Sequence, residues 1–388
     1  MLSFLKLLAI IATVRAADIY VSPTATRDGT GTMASPFASI QNAVNAITPG
    51  STIFLRGGTF NLAKNVAFSR VGSASAGFTV RAFAGEKVIL NGEALTGTPA
   101  PLNGALDNPD RGIFHIQNAQ FWSFFDLEFI NGPYGVYARD ASNNHYERIS
   151  THDNYETGFQ LEGASSNNTV FYLDSYMNRD PRKNGESADG FGCKEGSGTG
   201  NILKGARLWN NVDDGLDLWE FLSPVTIMDT ISWGNGFNRW GFTPFEGDGN
   251  GFKLGGGGLG PANHVVTNCI AFGNAQDGFT DNKQAGTFTI TRNTAYNNAR
   301  NGFQSTTANS ILRSNIAAVN GVAQQSLTGT FTSSGNSWDS STAWTNASFK
   351  SVSTSLVMGA RAANGKIVAS NFLLPTSGAA IGATTMWS

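Results

Sequence analysis

Two cysteines in 388 residues exclude a disulfide framework, so packing and backbone hydrogen bonds must hold the fold. Charge is scarce at 14% of residues, which excludes a coiled coil and speaks against a long disordered tail. Neither sign dominates. With 26 basic and 28 acidic residues the net charge is −2, and the basic field that phosphate binding needs is missing, so nucleic acid is excluded as a partner. No apolar run reaches the length that spans a bilayer, so no membrane insertion is expected. Glycine, by contrast, is abundant at 46 residues and asparagine is frequent, yet without the Gly-X-Y period of collagen.

The first residues read as an export signal. Lys6 gives a positive start, Leu7 to Val14 a short apolar run, and Val14-Arg15-Ala16 a small-residue cleavage context. Residues 1–17 are therefore expected to be a signal peptide, with the mature chain beginning near Ala17 or Asp18 and working outside the cell. Residues 18–388 read as one domain and, with nothing calling for a second chain, a monomer. Asn167 and Asn346 head glycosylation sequons, usable in a eukaryotic source.

One phrase recurs from about residue 145 to 320: a short β-branched or aromatic run, then Asn, then Gly followed by an apolar residue. Clear copies are NYETGF from Asn154, NVDDGL from Asn211, NAQDGF from Asn274 and NARNGF from Asn298. The Asn series 154, 178, 211, 235, 274, 298 and 320 advances by 24, 33, 24, 39, 24 and 22 residues, so two units are lengthened. This period is too short for helical-pair repeats, and leucine is not at the places leucine-rich repeats require. Two or three short strands per unit, separated by Gly and Asn turns, make one coil of a parallel β-helix. Stacked coils pile equivalent side chains into ladders, and Asn suits an interior ladder because its amide both donates and accepts. Upstream, Ser35-Pro36 followed by Phe37, Ile40, Val44 and Ile47 predicts a helix, capped at Ser35, that plugs the open apolar end. Beyond Asn320 the period fails, and 321–388 is expected to form a C-terminal cap.

Equal phase means the same line along the stack. Aligning the units on their Gly makes Asp189 equivalent to Asp214, with Asp213 adjacent, and Asp217 equivalent to Lys253 of the next coil. Alternation sends Leu216, Leu218, Phe252 and Leu254 inward, and Asp217 and Lys253 outward. Four carboxylates then share one patch. Their repulsion calls for a hard dication, and the absence of His and Cys from the set speaks against zinc or copper. Turn chemistry alone accounts for any one Asp-Gly pair, but not for three aspartates between 213 and 217 beside a phase-matched Asp189. A dication next to Lys253 is expected to lower its pKa and fit it to act as a base, and the run Gly255 to Gly258 is expected to keep its surroundings open.

These parts suit an acidic polysaccharide. The C5 proton of a uronic acid is weakly acidic, more so once its carboxylate is neutralised, and its removal expels the O4 glycosidic oxygen as an elimination. Lys194, Arg207, Arg239 and Lys283 are candidates for holding further carboxylates. Trp209, Trp219, Trp233 and Trp240 are candidates for stacking on sugar faces, with structural roles an equal alternative. Glu246 and Asp248 lie near Lys253 and are candidates to orient it. Cys193 and Cys269 differ in phase, so free thiols are expected, although export leaves a disulfide open.

The stretches ADGFGCKEGSG (188–198), WNNVDDGLDLWE (209–220) and GDGNGFKLGG (247–256), together with the DIYVSP start, resemble the polysaccharide lyase family nine pectate lyases over nearly the whole mature chain. The resemblance implies an all-β, right-handed parallel β-helix of about ten coils, Ca2+ on Asp189, Asp213, Asp214 and Asp217, and Lys253 as base. It implies pectin or polygalacturonate as substrate, with rhamnogalacturonan as an alternative polymer. A β-helix glycoside hydrolase is the nearest rival, but the Asn-Thr-Asp, His-Gly and Arg-Ile-Lys patterns of polygalacturonases are missing. A non-catalytic Ca2+-dependent binder is the other; it needs the aspartates but not Lys253.

Overall fold

A computed structural model of the chain describes residues 17–95 and 106–386. Residues 1–16 of the expected signal peptide 1–17 lie outside the described residues. Three parallel sheets of twelve, ten and ten strands run the length of the molecule. Within each sheet, hydrogen-bonded neighbours are on average a full turn apart in sequence, so the chain visits each sheet once per coil. Sheet 1 runs from Ile19–Val21 to Phe331–Ser334, sheet 2 from Val66–Phe68 to Ala323–Leu327, and sheet 3 from Gly58–Asn61 to Ile316–Ala318. The expected parallel β-helix is therefore present, with ten strands in each of sheets 2 and 3. Inward-facing Val, Ile, Leu and Phe from all three sheets form one continuous core. Phe252, Phe279 and Phe303 stack inside it at centroid distances of 4.7 and 4.8 Å, as equal phase requires.

The N-terminal helix spans Ile40–Ala46, with Ile40, Ala43 and Val44 buried in the core. Its cap is Ser39, whose side chain accepts from the Asn42 amide at 3.2 Å, not the predicted Ser35. Ser35 instead accepts from the Thr30 amide, in a bend that precedes the helix. Two Ser residues precede the same apolar spacing, and only the later one is followed directly by helix.

The seven phased asparagines form a buried ladder. Each side-chain amide donates to the carboxamide oxygen of the next coil: Asn154 to Asn178 at 2.9 Å, Asn178 to Asn211 at 2.8 Å, Asn211 to Asn235 at 3.0 Å, and onward to Asn320. Gln324 closes the series by accepting from Asn320 at 3.0 Å. The same oxygens also take the backbone N–H of the preceding rung, which satisfies turns that have no water to turn to. Two shorter ladders, Asn144–Asn168–Asn201 and Asn293–Asn315–Asn336, serve other turns.

The C-terminal residues do two things. Trp338 packs on Phe303 at the end of the core, whereas Phe349, Val357, Ile367 and Phe372 cover the outer face of sheet 3. Arg361 fastens this covering segment by donating to Asp174 at 2.7 Å and to the Leu173 carbonyl at 2.9 Å.

Candidate active site

Three consecutive strands of sheet 2, Phe191–Gly196, Leu216–Asp217 and Phe252–Lys253, build the site. Their register pairs Gly192 with Asp217 and Asp217 with Lys253, the phase relation read from the repeat. Leu216, Leu218, Phe252 and Leu254 lie in the core, so Asp217 and Lys253 point to the other side.

All four predicted aspartates converge there, and each has one oxygen fixed by a backbone amide. Asp189 Oδ1 accepts from the Asp214 N–H at 3.2 Å, Asp213 Oδ1 from Asp248 at 2.6 Å, Asp214 Oδ1 from Asn250 at 2.6 Å, and Asp217 Oδ1 from Trp219 at 2.9 Å. The second oxygens of three of them meet two ammonium groups. Lys194 Nζ lies 2.6 Å from Asp189 Oδ2 and 2.8 Å from Asp217 Oδ2. Lys253 Nζ lies 3.1 Å from Asp214, 3.5 Å from Asp217 and 3.1 Å from Asp248. Lys194 is therefore part of the cluster, not a separate groove cation. A signal for it existed: it follows Gly192 by one outward step and so stands in phase with Trp219.

The patch is not open surface. The two lengthened units fold over it and touch each other, the Glu246 amide donating to the Asn184 carbonyl at 3.1 Å. Asp189, Asp213, Asp214 and Asp217 are each at most 2% exposed. Between the insertions a cleft remains, lined by Lys183, Glu186, Lys194, Asp217, Trp219 and Lys253, with Glu246 and Asp248 on its wall.

Burial sets the protonation of the cluster. It raises the Asp189 carboxyl to about 7, with Lys194 pulling the other way, and raises Asp214 to about 6 against Lys253. Asp213 goes well above the carboxylate range through burial and then its neighbour Asp214. For Asp217 the two ammoniums outweigh burial and hold its pKa down. The lowering expected for Lys253 belongs to a dication-bound site; with the carboxylates alone around it, its pKa is raised. Burial favours the neutral amine, but Asp214, Asp217, Asp213 and Asp248 outweigh it and hold the ammonium firmly protonated. The glycine run meets the expectation of open surroundings only at Gly258, where an added Cβ would meet nothing within 4 Å; a Cβ on Gly256 would sit 2.5 Å from the Trp219 ring, and one on Gly255 2.5 Å from Gln284. Gly255 and Gly256 thus admit close packing.

The other candidates scatter. Arg207 pairs with Asp174 on sheet 3, Arg239 lies over Phe237 within an insertion, and Lys283 sits exposed in a turn. Trp209 and Trp233 stack at 5.0 Å on the outer face of sheet 3, between Tyr176 and Phe272, and the C-terminal segment covers that stack. Trp240 lies 6.3 Å from Phe242 in the second insertion. Only Trp219 of the four lines the cleft. Cys193 and Cys269 are buried free thiols. No helix among the described residues is long and apolar enough to cross a membrane.

Known proteins share both this fold and its sequence. The family described as Pel9A-like, right-handed β-helix region matches residues 19–320. Pectate lyase PEL9 of Emericella nidulans is 62% identical, over 98% of this chain and 97% of its own. The crystal structure of pectate lyase Pel9A superposes with a TM-score of 0.80 at 30% identity, covering 94% of this chain and 90% of that one. A rhamnogalacturonan lyase also superposes at 0.80, covering 93% of this chain and 96% of that one, but at 23% identity it shares the fold alone. With the helix, the ladder and the acidic cleft in place, the chain belongs to the Pel9A-like family of right-handed β-helix pectate lyases and is a polysaccharide lyase.

Proposed function

We propose that the protein is a secreted, Ca2+-dependent pectate lyase that cleaves polygalacturonate by β-elimination, with Lys253 as the base. One observation carries the reading: Lys253 and Asp217 share a phase on adjacent strands, so the Lys253 amine and the carboxylates beside it meet at one cleft.

The donor set fits a hard dication. Five carboxylates, Asp189, Asp213, Asp214, Asp217 and Asp248, face two ammoniums, which leaves surplus negative charge. Asp214 Oδ2 is buried without a directed hydrogen bond and faces only the Lys253 ammonium. Asp189, Asp213, Asp214 and Asp217 would hold the ion through oxygen alone. When bound, Ca2+ supplies the charge that offsets these carboxylates, weakens their hold on the lysine proton and neutralises a uronate carboxylate.

The chain's own residues do the rest. Backbone amides fix one oxygen of each aspartate, so the others are aimed before substrate arrives. The neutral Lys253 amine takes the C5 proton. The C5–H electrons form the C4–C5 double bond, the C4–O4 bond breaks, and O4 leaves with a proton from water. The insertions exclude solvent from the carboxylates. Export is supported by Lys6 and the apolar run Leu7 to Val14.

Product analysis on polygalacturonate with calcium and with chelator tests the proposal. Ultraviolet-absorbing unsaturated ends that vanish on chelation are expected. Reducing ends without that absorbance would mean a hydrolase, and retained polymer with no release a binder. Faster release from rhamnogalacturonan would move the substrate to that polymer.

A further inference from the structure

Asp214 is the one residue shared by two groups of carboxylates whose oxygens come within 4.8 Å of one another, Asp189–Asp214–Asp217 and Asp213–Asp214–Asp248. How its two oxygens are used therefore matters to the whole cluster. Oδ1 accepts twice from one residue: from the Asn250 backbone N–H at 2.6 Å and from the Asn250 side-chain amide at 2.9 Å. Oδ2 is buried without a directed hydrogen bond and stands 3.1 Å from Lys253 Nζ. Asn250 is itself held. Its Oδ1 accepts from the Asp277 N–H at 3.2 Å, so its NH2 group is the end that faces Asp214.

The same arrangement recurs away from the cluster. Asp189, Asp214, Asn250, Asp277 and Asn301 each stand immediately before the Gly of their unit and share a phase. Asp277 Oδ1 accepts from the Asn301 backbone N–H and from its side-chain amide, both at 2.8 Å. The chain thus builds one Asp–Asn clasp twice, and all four residues are buried. At Asp277–Asn301 the clasp joins coils. At Asp214–Asn250 it also decides which carboxylate oxygen is left over. A carboxylate turns easily about its Cβ–Cγ bond and binds a cation through one oxygen or both. Two donors converging on Oδ1 remove that choice. We propose that the Asn250 side chain is a positioning residue that commits Asp214 Oδ1 to the coil and reserves Oδ2 for the calcium ion beside Lys253. The inference rests on the calcium reading above and adds to it the residue that orients a ligand.

Asn250→Ala and Asn250→Leu, compared with Asn301→Ala and Asn301→Leu, separate this role from a structural one, because each pair removes the same clasp. Leu keeps the volume that Ala vacates, so a loss seen in both does not come from a cavity. Calcium affinity without substrate, read by calorimetry, is expected to fall about tenfold to a hundredfold in both Asn250 variants, and kcat/KM on polygalacturonate at fixed calcium to fall with it. Both Asn301 variants should keep wild-type affinity and rate, although the thermal midpoint in chelator drops at either position. Wild-type calcium affinity in the Asn250 variants, or an equal loss in the Asn301 variants, would overturn the assignment. A wild-type protein that binds no calcium would overturn the metal reading instead, so the two failures are distinct.

Discussion

Lys194 Nζ lies 2.6 Å from Asp189 Oδ2, within a cluster where carboxylates outnumber ammoniums. Lys194 therefore acts as an internal counter-ion, and a dication entering the site competes with it for Asp189 and Asp217. Lys194→Met is expected to destabilise the calcium-free protein by about 3–5 kcal/mol, because it leaves buried carboxylates uncompensated. Calcium should then raise the unfolding midpoint more in the variant than in wild type. Melting curves in chelator and in calcium check both; an equal calcium-induced rise would show that the lysine and the ion do not compete.

Lys253 faces the same carboxylates from the other side but lines the cleft. Lys253→Ala is expected to bind calcium and polymer and to lose turnover by about 10²–10⁴-fold, the range for a positioned base. Rates of unsaturated-end formation measured beside polymer retention decide it, and a variant within a few-fold of wild type would dismiss the lysine as base.

The asparagine ladder carries a stability prediction. Asn211 accepts from Asn178 and donates to Asn235, so Asn211→Ala strands partners on both neighbouring coils. A loss of about 2–4 kcal/mol in urea unfolding is expected, with less for Asn320→Ala at the end of the series, where Gln324 is the last acceptor. Equal losses at both positions would show that the ladder does not act through its interior.

His264 supplies a pH prediction. Its Nδ1 accepts from the Val225 amide at 3.1 Å, as ladder asparagines do for other coils, and burial lowers its pKa to about 3. The unfolded chain protonates this imidazole near its usual value of 6.5 while the folded chain does not. Its contribution is thus fully present above 6.5 and is lost as pH falls toward 3, by about 1.4 kcal/mol per pH unit. His264→Asn keeps an acceptor and removes the titration. Urea midpoints measured between pH 7 and pH 4 should fall less in this variant than in wild type; parallel falls would place the acid sensitivity elsewhere.

The repeat made the fold and the cluster legible because phase in sequence is position in space. Asp189, Asp213, Asp214, Asp217 and Lys253 meet as the alignment of Gly190, Gly215 and Gly251 predicts. What phase does not report is anything outside the coil. The insertions that bury the carboxylates, and the route of the C-terminal segment along sheet 3, depend on loop conformation and not on period. The ladders at Asn144 and Asn293 went unread because neither begins the Asn-to-Gly phrase. The strength with which the carboxylates hold the Lys253 proton was not legible either, because it depends on how many of them surround the amine in three dimensions.

The ladder also determines where this scaffold can change. Each rung must meet the one before it, so the residues flanking an Asn tolerate neither insertion nor deletion. The stretch between an Asn and its Gly carries no such constraint, and the two that have grown, Asn178 to Gly190 and Asn235 to Gly251, form the walls of the cleft. New specificities can therefore be grown at these two places while the column of amides behind them stays in register.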